Sequence, residues 1–313
     1  MENGASDFHL SEILEYVDCN ICGSIEHRKI KASNYGNNTT LAEFMEFYSS
    51  SSETKLLDQL VQCTSCSLVY VNPRVSTELS HKGYQDAIDV RHHKQDSFRI
   101  ASFKVALRKI NNMVDLYSGS KGPSIFLDIG CAGGAFPKAI NDLGFEVIGL
   151  EPSNYLSRHA RETYGLEVHS ATLEEYSKNG RKFDVISLWD VLEHLSNPKA
   201  ALDEINSMLP SEGILILNLP MIDTLPARTM GLRWPFYLNV HIYYFTMRTI
   251  EKLLDETGFE VRGVSRYWQT LSLGYVINRA GIKLPKTIED MLKIPFRYYL
   301  GQRTIVAGKK QSD

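Results

Sequence analysis

Four of the five cysteines fall into two C-x-x-C pairs, Cys19/Cys22 in CNIC and Cys63/Cys66 in CTSC, with 40 residues between them. A C-x-x-C pair closes too tight a loop for a relaxed structural disulfide. In a reducing compartment such pairs clamp a metal or do redox work. Two pairs supply four thiolates, the number that tetrahedral Zn(2+) takes. With all four positions filled by protein the zinc would be structural. Two alternatives stand beside this: four unlinked buried thiols, and a thioredoxin-like redox pair. The second is disfavoured because neither pair opens a helix inside a βαβ unit. Small residues, Gly23 and Ser67, follow the pairs and let the chain turn back over an ion.

A second stretch, LDIGCAGGAF at 127–136, places three glycines, a cysteine and an acid after an apolar run. Dinucleotide sites need G-x-G-x-x-G, so that pyrophosphate can lie on a helix N-terminus. Here the order is D-I-G-C-A-G-G, and Asp128 before the first glycine would repel a pyrophosphate. A cofactor without phosphate, carrying a cationic amino-acid head, suits that acid. Glu151, closing the next apolar run, suits paired hydrogen bonds to ribose hydroxyls. Cys131 lies in the loop itself. A nucleophilic role would need a base and an exposed thiolate, so it reads as a small buried filler.

These residues need elements to hold them. The chain has 313 residues, 43% hydrophobic and 23% charged, with net charge −3. That is globular composition, and the charge argues against a nucleic-acid partner. The start, MENGASDFHLSEILEY, carries acids where a signal peptide needs a basic and then apolar run. No window approaches a membrane span. A cytoplasmic location is the expectation. Residues 1–75 form the cysteine module, interrupted by a polar, serine-rich excursion at 37–53, and 76–118 form a helical connecting segment. After the turn-rich SGSKGPS, strands and helices alternate through 119–313. SIFLDIG, FEVIGLE, LEVHS, FDVISLWD and GILILNLP read as strands. SNYLSRHARETYG, with Ser153 as N-cap candidate, and TMRTIEKLLDETG read as helices. Repeated βα units imply a doubly wound α/β sheet whose ligand lies beyond the carboxyl ends of the strands. Residues 270–295 read as a helical insertion.

Over about 124–310 the chain resembles the class I S-adenosylmethionine-dependent methyltransferases. The matching residues are LDIGCAGGAF, the acid in GLEPS, FDVISLWDVLEHLSNP and FTMRTIEKLLDETGFEV. The resemblance implies a Rossmann-like seven-stranded sheet with an antiparallel last strand, preceded here by a small zinc-ribbon-like module. It implies S-adenosyl-L-methionine as cofactor. Asp128, Gly130 and Gly133 would wrap the methionine part, with Cys131 and Ala132 in the same loop. Glu151 would hold the ribose, Thr172 and Leu173 would flank adenine, and Trp189 and Asp190 would line the methyl end. The cysteine module, with CTSCSLVYVNPR its most distinctive piece, resembles a subgroup that includes sugar C-methyltransferases. That implies a sugar-containing small-molecule acceptor, nucleotide-linked or glycan, with Tyr84 reaching toward it.

Methyl transfer needs alignment and, for a hydroxyl or carbon acid, a base. His194 in DVLEHL and His241 in LNVHIYYF are the candidates. Six aromatic residues in 232–245 could wall a ring-shaped acceptor. In the sugar C-methyltransferases the corresponding segment resembles Glu-His, whereas Val240 precedes His241 here. The missing carboxylate favours O-methylation. Asp190, Glu193 and His194 also resemble the E-x-x-E-H of quinone-precursor O-methyltransferases, where a divalent ion can help, so a quinone- or lipid-precursor acceptor is the alternative. A third reading is a zinc-ribbon binding protein on a non-catalytic scaffold, against which the intact acids and glycines speak. The tail from 279 has eight basic residues against three acidic ones. It could rest on a membrane surface.

Overall fold

A computed structural model describes residues 13–35, 55–76, 95–114, 116, 124–279 and 281–310. Tyr84 and the 37–53 excursion lie outside these residues. The chain opens with short strands: β1 (Leu14–Glu15), β2 (His27–Lys31), β3 (Leu60–Cys63), β4 (Val69–Val71) and β5 (Arg74–Val75). β2, β3 and β4 pair antiparallel in sequence order, and β1 pairs with β5. Each C-x-x-C pair sits on a tight turn. Gly23 N–H donates to Cys19 O at 2.8 Å and Ser67 N–H to Cys63 O at 3.0 Å. Both closing residues are left-handed, with φ of 67° and 69°. Glycine takes that conformation freely; for Ser67 it is a strained choice that the turn imposes.

Helix α1 (Asp96–Asn111) leads into the alternating part. There follow β6 (Ile125–Ile129), α2 (Ala135–Asn141), β7 (Glu146–Leu150), α3 (Asn154–Tyr164), β8 (Glu167–His169), α4 (Leu173–Ser177), β9 (Val185–Trp189), a 3-10 turn at Leu192–His194, α5 (Pro198–Met208), β10 (Ile214–Pro220), α6 (Leu225–Met230) and β11 (Tyr243–Tyr244). The last elements are α7 (Met247–Glu256), β12 (Phe259–Arg266), β13 (Gln269–Ser272), α8 (Leu273–Arg279), α9 (Lys286–Met291), β14 (Pro295–Tyr298) and β15 (Gln302–Lys309). Seven strands form one sheet in the order β12-β15-β10-β9-β6-β7-β8. The pairs from β10 to β8 are parallel, and β15 runs antiparallel to both neighbours. The α/β fold expected from the sequence is the fold observed.

Local chemistry explains the elements. β10 is seven residues long and buried throughout, as a central strand covered on both faces must be. α3 starts where the Ser153 hydroxyl accepts from Leu156 N–H and ends at left-handed Gly165. α7 starts with a capping box at Thr246 and buries Ile250, Leu253 and Leu254. Each such buried side chain contributes about 1.5–3 kcal/mol.

The cysteine module does not stand apart. Cys19, Ile21, Val61, Cys63, Cys66, Leu68 and Tyr70 belong to one continuous apolar cluster with Leu127, Ile148, Ile186 and Leu217 of the large sheet. β11, in the crossover between β10 and α7, pairs antiparallel with β4 and completes the small sheet. Buried Arg74 binds Glu15 Oε1 at 2.9 Å, Ser196 O at 2.7 Å and the Tyr243 hydroxyl at 3.1 Å. Asn20, between the first two cysteines, accepts from Lys199 N–H and donates to Asn197 Oδ1, both at 2.9 Å, at the start of α5. Between β12 and β15 the strands β13 and β14 pair as a two-stranded ribbon that frames α8 and α9.

Candidate active site

In chain order β6, β7 and β8 step outward to one side, and β9 then returns to the other side of β6. The crevice at this reversal, beyond the carboxyl ends of β6 and β9, is where a doubly wound sheet binds its ligand. Asp128 near the end of β6 is buried and accepts from the Ser187 hydroxyl of β9 at 2.6 Å. Burial pushes its carboxyl up to about 8, and the nearby Glu151 adds to the rise. No cation among the described residues offsets this. Gly130 follows with φ of 67°. A Cβ there would lie 2.5 Å from Val191 Cγ2. The glycine therefore lets the loop after β6 close onto the loop after β9.

The loop is held from the next strand. Glu151, fully buried past β7, accepts from Ala132 N–H and Ser153 N–H at 2.9 Å each, one on either carboxyl oxygen. Burial raises it to about 7, against the pull of those two N–H groups. Ala132 takes a left-handed φ of 48°, held by that carboxylate. Cys131 is buried, its thiol raised well above the ordinary value by burial and by Asp128 and Glu151. Its sulfur lies where a Cβ on Gly149 would stand, 2.6 Å away, so it fills the space above a glycine of β7. Gly133 lies between Ala132 and left-handed Gly134, which caps α2. Thr172 caps α4, its hydroxyl accepting from Glu175 N–H, and Leu173 packs into the core.

Beyond β9, Trp189 packs against Phe103, Phe136 and Tyr267, with ring centroids 4.7 to 5.2 Å apart. Asp190 is left-handed, with φ of 55°. Its carboxyl accepts from Asn218 Nδ2 at 2.9 Å and from Gln302 Nε2 at 2.7 and 2.9 Å. Burial raises it to about 6 despite these donors.

A third group lies behind Asp190. Glu193, His194 and His241 bring one donor atom each within 4.8 Å of one another. The His194 and His241 rings meet edge to face at 4.6 Å. His194 Nδ1 is 2.8 Å from Val240 O, so it carries the hydrogen and Nε2 carries the lone pair. His241 is fixed by the Phe236 carbonyl, leaving Nδ1 without a partner. Neither Glu193 carboxyl oxygen has a partner, although the residue is fully buried. Burial lowers His194 to about 4; burial and the neighbouring His194 hold His241 well below the ordinary histidine value, and burial raises Glu193 well above the carboxylate range. Two neutral imidazoles thus face a glutamate that burial holds as the neutral acid. Asp190 is not of this group, because its oxygens are turned to Asn218 and Gln302.

The aromatic segment at 232–245 is mostly interior. Trp234, Tyr243, Tyr244 and Phe245 are buried, and Trp234 Nε1 donates to Leu300 O at 2.6 Å. Phe236 and Tyr237 are half-buried beside His241 and Tyr244. Sequence reasoning missed Ser187, Asn218 and Gln302, which orient the two edge aspartates. A signal was available, since serine and asparagine interrupt the otherwise apolar VISLW and ILILNLP. Gln302 comes from the far end of the chain and gives none.

At the cysteine module, Cys19 and Cys66 sulfurs are 3.3 Å apart and Cys22 and Cys63 sulfurs 3.6 Å apart. All four lie within 4.8 Å of one another. These distances exclude disulfides, whose sulfurs stand about 2.05 Å apart. They approach the roughly 3.8 Å edge of a tetrahedron with zinc–sulfur bonds of about 2.3 Å. Burial raises Cys19 to about 11 and Cys66 higher, while hydrogen bonds from neighbouring N–H groups hold Cys63 at about 7.

A family described as "Methyltransferase domain" matches residues 97–264, more than half of the chain. The ubiquinone biosynthesis O-methyltransferase of Haemophilus ducreyi is 30% identical over 132 residues, 37% of this chain and 55% of that protein. The protein of the same name from Actinobacillus pleuropneumoniae is 29% identical over 102 residues, 29% of this chain and 44% of that one. The chain thus spans about half the length of these curated relatives. A solved S-adenosylmethionine-dependent methyltransferase from Archaeoglobus fulgidus superposes on 71% of this chain and all of that one, at 17% identity and a TM-score of 0.49.

Proposed function

The chain belongs to the methyltransferase-domain family; from that premise we propose that it uses S-adenosylmethionine to methylate a hydroxyl group on a small molecule, of the quinone-precursor kind. The single observation that carries the hydroxyl reading is the buried group behind Asp190, in which the neutral imidazoles of His194 and His241 meet Glu193. The names of the distant relatives support the acceptor class. The sugar-containing acceptor suggested by the cysteine module has no finding behind it here.

The cofactor, when bound, supplies an electrophilic methyl group on a positively charged sulfur. The residues present fit it. Asp128 is a buried acid beside the glycine loop and would hold the cofactor's charged amino-acid end. Glu151 fixes the loop through Ala132 and Ser153 and would hold the ribose from the end of β7. Trp189, backed by Phe103, Phe136 and Tyr267, makes a rigid wall at the reacting end. His194, half-buried where His241 and Glu193 are fully enclosed, takes the acceptor's proton at Nε2. His241 and Glu193 line the same group, so the missing Glu-His dipeptide is replaced by a glutamate from the preceding turn. Calorimetry with S-adenosylhomocysteine, followed by labelled-methyl transfer to hydroxylated benzoates, tests the reading. Absence of cofactor binding by folded protein overturns it. Transfer to sugars but not to phenols overturns the acceptor class.

The four sulfurs are proposed to hold one structural zinc. The donor types of Glu193, His194 and His241 also match those a divalent ion takes. Metal content separates the two uses. Protein purified without chelator should hold about one equivalent of zinc, lost on Cys63→Ser. A second equivalent, lost on Glu193→Gln, would turn the proton-accepting group into a metal centre.

A further inference from the structure

Fifteen large apolar side chains are exposed among the described residues, and six of them lie between positions 268 and 296: Trp268, Ile282, Ile288, Met291, Ile294 and Phe296. Met291 is 80% exposed, Ile282 61% and Ile294 55%. A soluble surface tolerates single exposed apolar residues. A cluster on one projecting element marks a contact surface.

The element is built, not frayed. Leu273 N–H donates to Ile294 O at 2.9 Å and Gly274 N–H to Leu292 O at 3.1 Å, closing the base of the tip. Leu284 N–H donates to Asn278 Oδ1 at 2.7 Å. Gly274 lets α8 pack directly on α9, for a Cβ there would meet Glu289 O at 2.8 Å. Below the tip, β13 and β14 pair over four residues and lean on α1, where the Ser102 hydroxyl accepts from Thr270 N–H at 2.9 Å.

The charge of the tip differs from that of the chain. From 279 to 297 there are five basic residues and two acidic ones, in a protein of net charge −3. Lys293 pairs with Asp290 at 2.9 Å, and Arg297 lies over the Trp268 ring, 5.4 Å from its centre. Lys283 and Lys286 are exposed beside Ile282 and Ile288. Apolar side chains flanked by lysines and arginine, with an aromatic ring at their edge, match an anionic lipid surface: the apolar groups enter the acyl boundary and the cations stay at the headgroups.

We propose that this ribbon tip, residues 282–297, seats the protein on an anionic bilayer. The sequence pointed to the whole tail from 279. The structure narrows the contact to the tip, because β15 is an interior strand of the large sheet. The ribbon springs from β12 and β15, whose adjoining residues Tyr267 and Gln302 touch the candidate active site through Trp189 and Asp190. Seating the tip on a bilayer would therefore bring that edge close to lipid. The inference rests on the surface alone and stands apart from the acceptor reading.

The test is vesicle flotation with the full chain, comparing phosphatidylcholine alone with phosphatidylcholine containing phosphatidylglycerol. Binding should require the anionic lipid and fall as salt rises. Lys283→Glu with Lys286→Glu should cut partitioning at least about tenfold, and Met291→Asp with Ile294→Asp should abolish it. The thermal midpoint should not move, because all four side chains are exposed. No binding to either vesicle, binding indifferent to the anionic lipid, or binding indifferent to both substitution pairs overturns the proposal. So does a concentration-dependent dimer, seen by light scattering, that Met291→Asp with Ile294→Asp removes, since a second copy would then cover the patch.

Discussion

Asp128 and Glu151 are held partly protonated by burial in the ligand-free protein, at about 8 and about 7. Both values lie above those of an unfolded chain, so these two acids favour the folded state most at low pH, and that contribution is lost as pH rises through 7 to 8. A cationic cofactor needs Asp128 ionised. Its affinity should therefore strengthen from pH 6 to pH 8, with proton release on binding that calorimetry in buffers of different ionisation enthalpy would detect. Asp128→Ala and Glu151→Ala should each weaken S-adenosylhomocysteine binding at least about tenfold, the scale of one lost charged hydrogen bond. For His194 the sign is opposite. Burial holds it neutral down to about pH 4, so the acid limb of kcat/KM should lie nearer 4 than the ordinary 6.5 of histidine. His194→Gln should lower kcat and leave cofactor affinity within about twofold. Asp128 and Glu151, the two acids proposed to hold the cofactor, stood out in the sequence because each lies at the end of an apolar run. The meeting of Glu193 with His241 did not. His241 lies 48 residues further on in the numbering, and only the fold brings the two together.

At the scale of elements, the glycine loop and the short pairings differ in what they reveal. Gly130 has a left-handed φ and no room for a Cβ beside Val191. Gly130→Ala should cost on the order of 1–3 kcal/mol in stability and weaken cofactor binding, measured by denaturant melts and calorimetry. Gly144→Ala is the control, since its Cβ would meet nothing. It also has positive φ, so it reports backbone strain without the clash. The strands of the large sheet and the capped helices α3 and α7 were readable from apolar runs, Ser153, Thr246 and terminal glycines. β11, β13 and β14 were not. They are two to four residues long, too short to show a period, and their partners fix them. The apolar wall expected of 232–245 dissolves for the same reason: most of its aromatics face inward because β11 has paired with β4.

Among the described residues the small sheet and the large sheet share one apolar cluster. The sequence suggested a module ending at 75. One apolar cluster runs from Cys19 through Leu127 to Leu217, and Arg74 ties β1, β11 and the start of α5 together. Removal of the zinc proposed for the four cysteines should thus be felt beyond them. Treatment with a chelator should raise amide hydrogen exchange at Tyr243–Tyr244 as well as at 60–71. It should lower the rate with acceptor more than it lowers affinity for cofactor, whose loop lies on the far side of β9. Unchanged exchange at Tyr243–Tyr244 would show that the small sheet survives without its ion.

The pairing of β4 with β11 also bears on how such a protein can diversify. The small sheet takes three strands from the start of the chain and one from the crossover that carries His241. A change at either end alone would leave an unmatched edge strand, a site for aggregation. The amino-terminal module and the 221–245 crossover must therefore change as a pair. A chimera exchanging both between relatives should stay soluble and carry acceptor preference with it, whereas one exchanging either alone should aggregate.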